Sequence, residues 1–562
     1  MDGSVKAGRD PEVRLSLFPQ VTSHRDNDDL LTAGLGLAGL RAAAPAFAQA
    51  EAPTPAELRR RAIWQSWRGI ADLTPGGGFG EVYGSTAHVP GREYAAFATV
   101  DGACQPHRML VQVPDAFDRV RRCLLVAPSS GSRGVHGAIA VAGAWGLPKG
   151  CAVAYTDKGT GSDYVDLDAG CGTRLDGMCA PLDAGDLAFA PALPANARGV
   201  AIKHAHSGDN PEADWGLHVR QAAAFGLRAL DEAFPAEAPF TFANTRIVAV
   251  GISNGGGAVL RAAGLDDGDG GDWLDAVIAG EPSVFVDAPD ARALYDYATE
   301  AMLDMPDALQ ALAQADAPAQ ARAALARMRA SGWTDEALRG GASSAGFDLW
   351  RSIAVTYASA YGRFGIDAHP CGFAFSAMDG EGRPHAASAE TRALWWSDGS
   401  GIAPGAGVGI VGPPSSHAAA VAPLQALRAL WTGDTDAAQR VRAGVAATRA
   451  GPPRAGLPVT VIHGIDDGLI PLVFTSAPYV AQARAVGRDV RFLQVRNVQH
   501  FDALLALPGH AARYLPMLAC VHHALDRVQA ALDGRGDWPG DAVIETTPRG
   551  GAPLTAAHLA LD

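Results

Sequence analysis

The 562-residue sequence has no run of 18 uncharged apolar residues, the length one helix needs to cross a bilayer. It is also short of positive charge. Lys and Arg number 46 against 60 Asp and Glu, a formal net charge of −14. A general binder of nucleic acid or of an anionic membrane carries the opposite sign. Both classes are therefore set aside, and an anionic substrate would have to be met by a local basic group. Cysteine is scarce, with seven in all, and none has zinc-ligand spacing. An odd count leaves at least one thiol free. Cys171 and Cys179, close together in a Gly/Asp-rich loop, are the expected pair if disulfides form. No internal repeat is present.

What remains is a globular composition, 48% hydrophobic and 19% charged, long enough for a core domain with one large insertion. Residues 30–50 (LLTAGLGLAGLRAAAPAFAQA) are apolar and Ala-rich, and Ala46-Phe47-Ala48 fits the small-x-small pattern of a signal-peptidase site. This predicts a leader over 1–50 and a secreted or periplasmic protein, with the cytoplasm as the alternative. Arg41 interrupts the apolar run, and Asp26, Asp28 and Asp29 precede it where basic residues belong.

Beyond the leader, PAELRRRAIWQSWRGIADL (55–73) reads as an amphipathic helix. MLVQV (109–113), CLLVAP (123–128), CAVAYTD (151–157), RIVAVGIS (246–253) and LDAVIAGEP (274–282) read as strands, with helical periodicity at 215–234 and 258–265. Alternating strands and helices predict a doubly wound, mainly parallel sheet. The rhythm breaks after about 286 and returns at LPVTVIHG (457–464) and VRFLQV (490–495). The organisation expected is a core over 51–286 and 453–535, a mostly helical insertion over 287–452 acting as a lid, and a C-terminal tail over 536–562.

Gly251-Ile252-Ser253-Asn254-Gly255 matches G-x-S-x-G between a strand and a helix, the setting in which a sharp turn leaves a serine hydroxyl at the top of a sheet. A serine nucleophile needs a base, and the base needs an orienting carboxylate. In the α/β-hydrolase fold these follow in the order serine, acid, histidine. His463-Gly464-Ile465-Asp466-Asp467-Gly468-Leu469-Ile470-Pro471 supplies the acid turn, with Asp467 as the acid and Asp466 one position away as the alternative. His500, after the strand VRFLQV, is the candidate base. His510, His522 and His523 fall in a later helical segment. Oxyanion donors are expected from the backbone N–H of Asn254 and from Ser129-Ser130-Gly131-Ser132-Arg133-Gly134, with Ser130 and Gly131 as candidates.

Other motifs fail on order or spacing. Gly76-Gly77-Gly78-Phe79-Gly80-Glu81-Val82-Tyr83 resembles a kinase glycine loop, Val200-Ala201-Ile202-Lys203 a kinase lysine strand and His24-Arg25-Asp26 a kinase catalytic loop, but their order is wrong and no D-F-G is present. The acidic turn 266–272 fails as a calcium loop because Asp272 stands where glycine is required. His204-x-His206 lacks further metal ligands, and Lys158-Gly159-Thr160-Gly161 lacks phosphate-loop spacing. No metal and no cofactor is called for.

CAVAYTDKGTGSD (151–163), IKHAHSGDNPEADWG (202–216), GISNGGGAVLRAAG (251–264), VIHGIDDGLIP (461–471) and VRNVQHFDALLALP (495–508) together resemble the D-(−)-3-hydroxybutyrate oligomer hydrolases, over roughly residues 55–530. The resemblance implies a serine esterase that cleaves dimers and short oligomers of 3-hydroxybutyrate in polyhydroxybutyrate breakdown. It makes Ser253 the charge-relay serine, matched by Asp467 and His500. The chain is shorter than typical members, a difference expected in the insertion or around 165–200. Arg133 and Lys203 are candidate partners for the substrate carboxylate. Alternatives are a tannase- or feruloyl-esterase-like aromatic ester hydrolase, and a hydrolase fold without activity that serves as a binding protein.

Overall fold

The computed structural model describes residues 19–265, 272–397, 402–403, 405, 407–413, 421–559 and 561; the acidic turn at 266–271 lies outside them. A ten-stranded sheet forms the centre. Its strands are β1 (Gln20–His24), β2 (Gly91–Ala98), β3 (His107–Pro114), β4 (Cys123–Pro128), β5 (Ala152–Thr156), β6 (Arg246–Ile252), β7 (Ala276–Gly280), β8 (Val459–Gly464), β9 (Val490–Val495) and β10 (Ala542–Ile544). They lie in the order β1-β2-β3-β5-β4-β6-β7-β8-β9-β10. The pairs β1–β2, β2–β3 and β3–β5 are antiparallel, and every pair from β5–β4 through β9–β10 is parallel.

Side chains alternate across the sheet. Leu125, Val250 and Ile278 enter the apolar layer shared with helix α1 (Pro55–Ile70) and helix 517–532. Leu124, Ala249 and Val277 enter the layer shared with α2 (Trp215–Ala233) and α3 (Asn254–Ala263). β4 to β8 are buried on both faces apart from half-buried Arg246, which is why they read as continuous apolar runs. α1 starts where the sequence marks it. Thr54 accepts from the Glu57 amide while Glu57 accepts from the Thr54 amide, with Pro55 next, a capping box.

Both ends of the described chain pack on the sheet. From residue 20 onward the N-terminal segment makes contacts with the core. β1 pairs antiparallel with β2, and Leu30, Leu31 and Leu40 are fully buried in the α1 layer. The acidic residues that looked misplaced before an apolar run have structural work. The buried Asp29 carboxylate accepts from the amides of Leu31 and Thr32 at 2.7 Å and of Gly34 at 2.8 Å. Asp28 pairs with Arg59 at 3.0 Å. At the other end, the expected tail contributes β10 alongside β9 and the buried Leu554 and Leu559. The disulfide falls elsewhere than expected. Cys123 and Cys151, on the neighbouring strands β4 and β5, are bonded, whereas Cys171 and Cys179 are free thiols in hydrogen-bond contact.

Between β7 and β8, the described part of 287–452 folds into helices and a three-stranded sheet of 384–385, 374–378 and 408–411. Among them are α4 (Leu294–Ala313) and α5 (Leu349–Gly362). Helix 517–532 is α6. A four-stranded sheet gathers 164–166, 171–173, 179–181 and 200–202. Among the described residues no helix is long and apolar enough to cross a membrane.

The burial of the N-terminal segment has a measurable consequence. Leu31→Ala should lower unfolding free energy by about 2–5 kcal/mol, as deletion of a fully buried leucine does, in denaturant titrations. Leu193→Ala, at an exposed site, should change it by less than about 0.5 kcal/mol. Equal stability of Leu31→Ala and wild type would show that this segment lies off the core.

Candidate active site

Ser253 occupies the turn from β6 into α3 with φ 54° and ψ −124°, a left-handed conformation that a side chain adopts only under constraint. The constraint is steric and hydrogen-bonded at once. A Cβ on Gly251 would lie 2.4 Å from the Gly255 carbonyl, and one on Gly255 would lie 2.6 Å from the Pro128 carbonyl. The turn therefore closes only with glycine at both positions. The Ser253 amide donates to Gly280 O, and Ser253 O accepts from the Ser283 amide, both at 2.9 Å. These bonds fix the serine against β7 while its hydroxyl stays at the sheet's carboxyl end, where open α/β sheets place their ligands.

His500 and Asp467 arrive from the loops after β9 and β8. His500 Nε2 lies 3.0 Å from Ser253 Oγ, and His500 Nδ1 lies 2.8 Å from Asp467 Oδ2. The other Asp467 oxygen accepts from the amides of Leu469 (2.9 Å) and Ile470 (2.8 Å). Burial works to raise the Asp467 pKa, but His500 and His463 beside it hold the carboxyl well below the usual range. It is thus a fixed negative charge that keeps the Nδ1–H tautomer of His500 and leaves Nε2 facing the serine. Asp466, the neighbouring alternative, points elsewhere and accepts from the Asn497 amide at 3.0 Å.

A second carboxyl stands close. Glu281, at the end of β7, puts Oε1 3.7 Å from His500 Nδ1. Burial and the Asp467 and Asp502 carboxyls push its pKa well above the ordinary value, the direction opposite to that of Asp467 beside it. Among the described residues Glu281, Asp467 and His500 are the one group whose donor atoms could surround a cation, within 4.8 Å of each other. The hydrogen bonds from His500 to Asp467 and Ser253 already occupy two of its members.

The serine opens into a cavity of about 530 Å³ lined by Ser130, Gly131, Asn254, Ile353, Tyr357 and Arg133, among others, a volume within the small-molecule range. The wall facing α3 is the loop 129–134, and the lysine beneath it was missed by sequence reasoning. Lys158 is fully buried, and its ammonium donates to the carbonyls of Ser129 and Gly131. Burial pulls its pKa down to about 7, against the pull of Glu212 and Asp157. In a trans peptide the N–H points opposite to the preceding carbonyl. With the carbonyls of Ser129 and Gly131 turned to Lys158, the amides of Ser130 and Ser132 are turned away from it. The Ser130 carbonyl accepts from the Arg133 amide. Ser130 and Gly131, the expected donors, line the cavity together with Asn254.

The two cations named as carboxylate partners separate. Arg133 lines the cavity, with Nη2 donating to Gly69 O at 3.0 Å. Lys203 does not. It is fully buried and paired with Asp163 at 3.4 Å and Asp157 at 3.9 Å, so its charge is spent inside the protein. Arg68 lines the cavity as well. The only hint of Lys158 in the sequence is a lysine flanked by an aspartate at a strand end. Glu281 and Tyr357 carry no motif at all.

The family described as 3HB-oligomer hydrolase matches residues 11–317 and 301–561. A D-(-)-3-hydroxybutyrate oligomer hydrolase of Paracidovorax citrulli is 37% identical, covering 95% of this chain and 89% of that one. The protein of the same name from Cupriavidus necator is 35% identical, covering 99% and 90%. Among solved structures, the rice cell wall degrading esterase LipA of Xanthomonas oryzae aligns with a TM-score of 0.41 at 11% identity, over 80% of this chain and 91% of that one.

The two carboxyls beside His500 predict opposite responses to the same chemical change. Asp467→Asn removes the fixed charge and allows the wrong imidazole tautomer, so kcat for an ester substrate should fall about 10⁴-fold. Glu281, 3.7 Å from His500 Nδ1, makes no hydrogen bond to it, so Glu281→Gln should stay within about tenfold of wild type. Steady-state rates at pH 7 decide it. A collapse in Glu281→Gln with Asp467→Asn unaffected would reverse the assignment.

Proposed function

The chain belongs to the 3HB-oligomer hydrolase family, and on that footing we propose that it hydrolyses the ester bonds of 3-hydroxybutyrate dimers and short oligomers, with Ser253 as nucleophile. The observation that carries this reading is the Ser253–His500–Asp467 chain, at 3.0 and 2.8 Å, opening into the cavity. His500 Nε2 takes the Ser253 proton as Oγ attacks the ester carbonyl, and Asp467 stabilises the imidazolium that forms. The negative oxygen of the tetrahedral intermediate is met by the amide of Asn254, at the start of α3, and by the amide of Ser130. Collapse breaks the ester C–O bond, and His500 returns its proton to the leaving 3-hydroxyl oxygen. A water molecule, deprotonated by His500, then attacks the acyl-serine and releases the second acid. The sum is one ester and one water converted to one acid and one alcohol.

A 3-hydroxybutyrate oligomer ends in a carboxylate, and its chain is short and aliphatic. The cavity offers both complements, aliphatic side chains such as Ile252, Ile353 and Leu469 and the guanidinium groups of Arg133 and Arg68. Arg133 is the carboxylate partner in this reading. A guanidinium meets a carboxylate with charge-assisted, directional bonds.

Release of 3-hydroxybutyrate from the dimer, followed for wild type and Ser253→Ala, tests the reading. Wild type should turn over, and the variant should lose on the order of 10⁶-fold in kcat, as removal of a nucleophilic serine does. Ser253-dependent cleavage of a gallate or ferulate ester without cleavage of the dimer would move the substrate to aromatic esters. Activity that survives in Ser253→Ala would remove Ser253 from the mechanism. Arg133→Met should raise KM for the dimer about 10–100-fold, the weight of a hydrogen bond to a charged group, and leave KM for the methyl ester of the dimer unchanged.

A further inference from the structure

A second serine–histidine–carboxylate sequence lies in the same cavity wall. Ser132 Oγ is 2.6 Å from His204 Nδ1, and His204 Nε2 is 2.7 Å from Glu212 Oε1. All three residues are buried, His204 and Glu212 completely. The Tyr357 hydroxyl stands beside Ser132 and accepts from Asn254 Nδ2 at 2.6 Å. The edge of one ring packs on the other between His204 and Tyr357, with centroids 4.6 Å apart. Ser132, Asn254 and Tyr357 all line the cavity into which Ser253 opens.

An amide nitrogen only donates, so the Tyr357 oxygen accepts from Asn254. Ser132 is hydrogen-bonded to His204 Nδ1, and His204 Nε2 stands beside the Glu212 carboxylate without a hydrogen bond to it. The order differs from that at Ser253, where Nε2 faces the serine.

What these residues join gives them a use. Asn254 carries the amide next to Ser253, and Ser132 sits in the loop that forms the opposite wall. Their common link, Tyr357, is on α5, in the segment inserted between β7 and β8. We propose that Tyr357, hydrogen-bonded to Asn254 and packed on the His204 ring that is bonded to Ser132, is a positioning residue that sets the spacing of the two oxyanion-hole walls, so that the hole is correctly formed only when Tyr357 of the inserted helix is seated. The proposal rests on the esterase reading of Ser253.

Tyr357→Phe is the informative variant, because it removes one hydroxyl and keeps the ring. With both the dimer and a p-nitrophenyl butyrate substrate, kcat should fall about 10–100-fold, the scale of a displaced oxyanion donor, with KM within about threefold. Ser132→Ala should behave alike. The double variant should be no worse than the poorer single, since both break one link between the walls. Affinity for a boronate that mimics the tetrahedral intermediate should fall in parallel with kcat. A change in KM alone, additive losses, or an unchanged kcat in Tyr357→Phe would overturn the proposal. So would labelling of Ser132 by a fluorophosphonate in Ser253→Ala, because it would make Ser132 a nucleophile. If wild type cleaves neither ester, the esterase reading fails and takes the inference with it. If wild type cleaves and Tyr357→Phe matches it in kcat, only the inference fails.

Discussion

Ser253 is held at φ 54°, a conformation that costs on the order of 1–3 kcal/mol for a residue with a side chain. It persists because β6 and α3 leave the chain no other path between them. The backbone on either side of the serine is bonded to β7 and to the segment after it. Gly251 and Gly255 approach neighbouring backbone more closely than any Cβ would allow. This one turn fixes the start of α3 and hence the Asn254 amide. The loop 129–134 lies close beside it, because the space at Gly255 is filled by the Pro128 carbonyl at the end of β4. Both walls of the proposed oxyanion hole are thus consequences of how tightly the nucleophile strand turns.

Around the carboxyl ends of the strands several buried charges have a partner from a different segment. Arg108 of β3 meets Asp163 at 2.9 Å, Lys203 meets the same carboxylate, and Asp467 meets His500. A buried charge without its partner is heavily penalised. Pairs of this kind therefore tie the loops over the sheet to single positions more firmly than they stabilise the fold. Lys158 is the exception in kind. Its contacts are carbonyl oxygens of the loop it supports, and burial brings its pKa down to about 7. Glu281 is the converse case, a carboxyl whose pKa is pushed well above the ordinary value by burial and then by Asp467 nearby.

Local pattern does not show which contacts a segment makes. Residues 30–50 have the composition of an export signal, and a short apolar run ending in Ala-x-Ala looks the same whether it meets a membrane or a core. Asp28 and Asp29 stand where such a signal has basic residues. In the fold Asp29 gathers three backbone amides and Asp28 meets Arg59. Likewise Cys171 and Cys179 are near in sequence, but the bonded cysteines are Cys123 and Cys151, brought together because β4 and β5 are neighbours in the sheet.

The sequence by itself determined the parallel core strands, the serine turn and the chain order of Ser253, Asp467 and His500. Each of these is written locally, in an apolar run, a glycine spacing or a turn carrying an acid. Although 214 residues separate Ser253 from Asp467, each sits at a strand end, so the sheet delivers them to one edge. Only the tertiary structure decided the rest. It buried Lys203 in ion pairs and left Arg133 on the cavity wall, a distinction invisible in two basic residues of similar setting. It placed Lys158 under the loop 129–134, Glu281 beside His500, and Tyr357 between Ser132 and Asn254. None of these has a spacing that marks it, because their partners come from other strands and from the inserted helix, and such contacts exist only once the segments have packed.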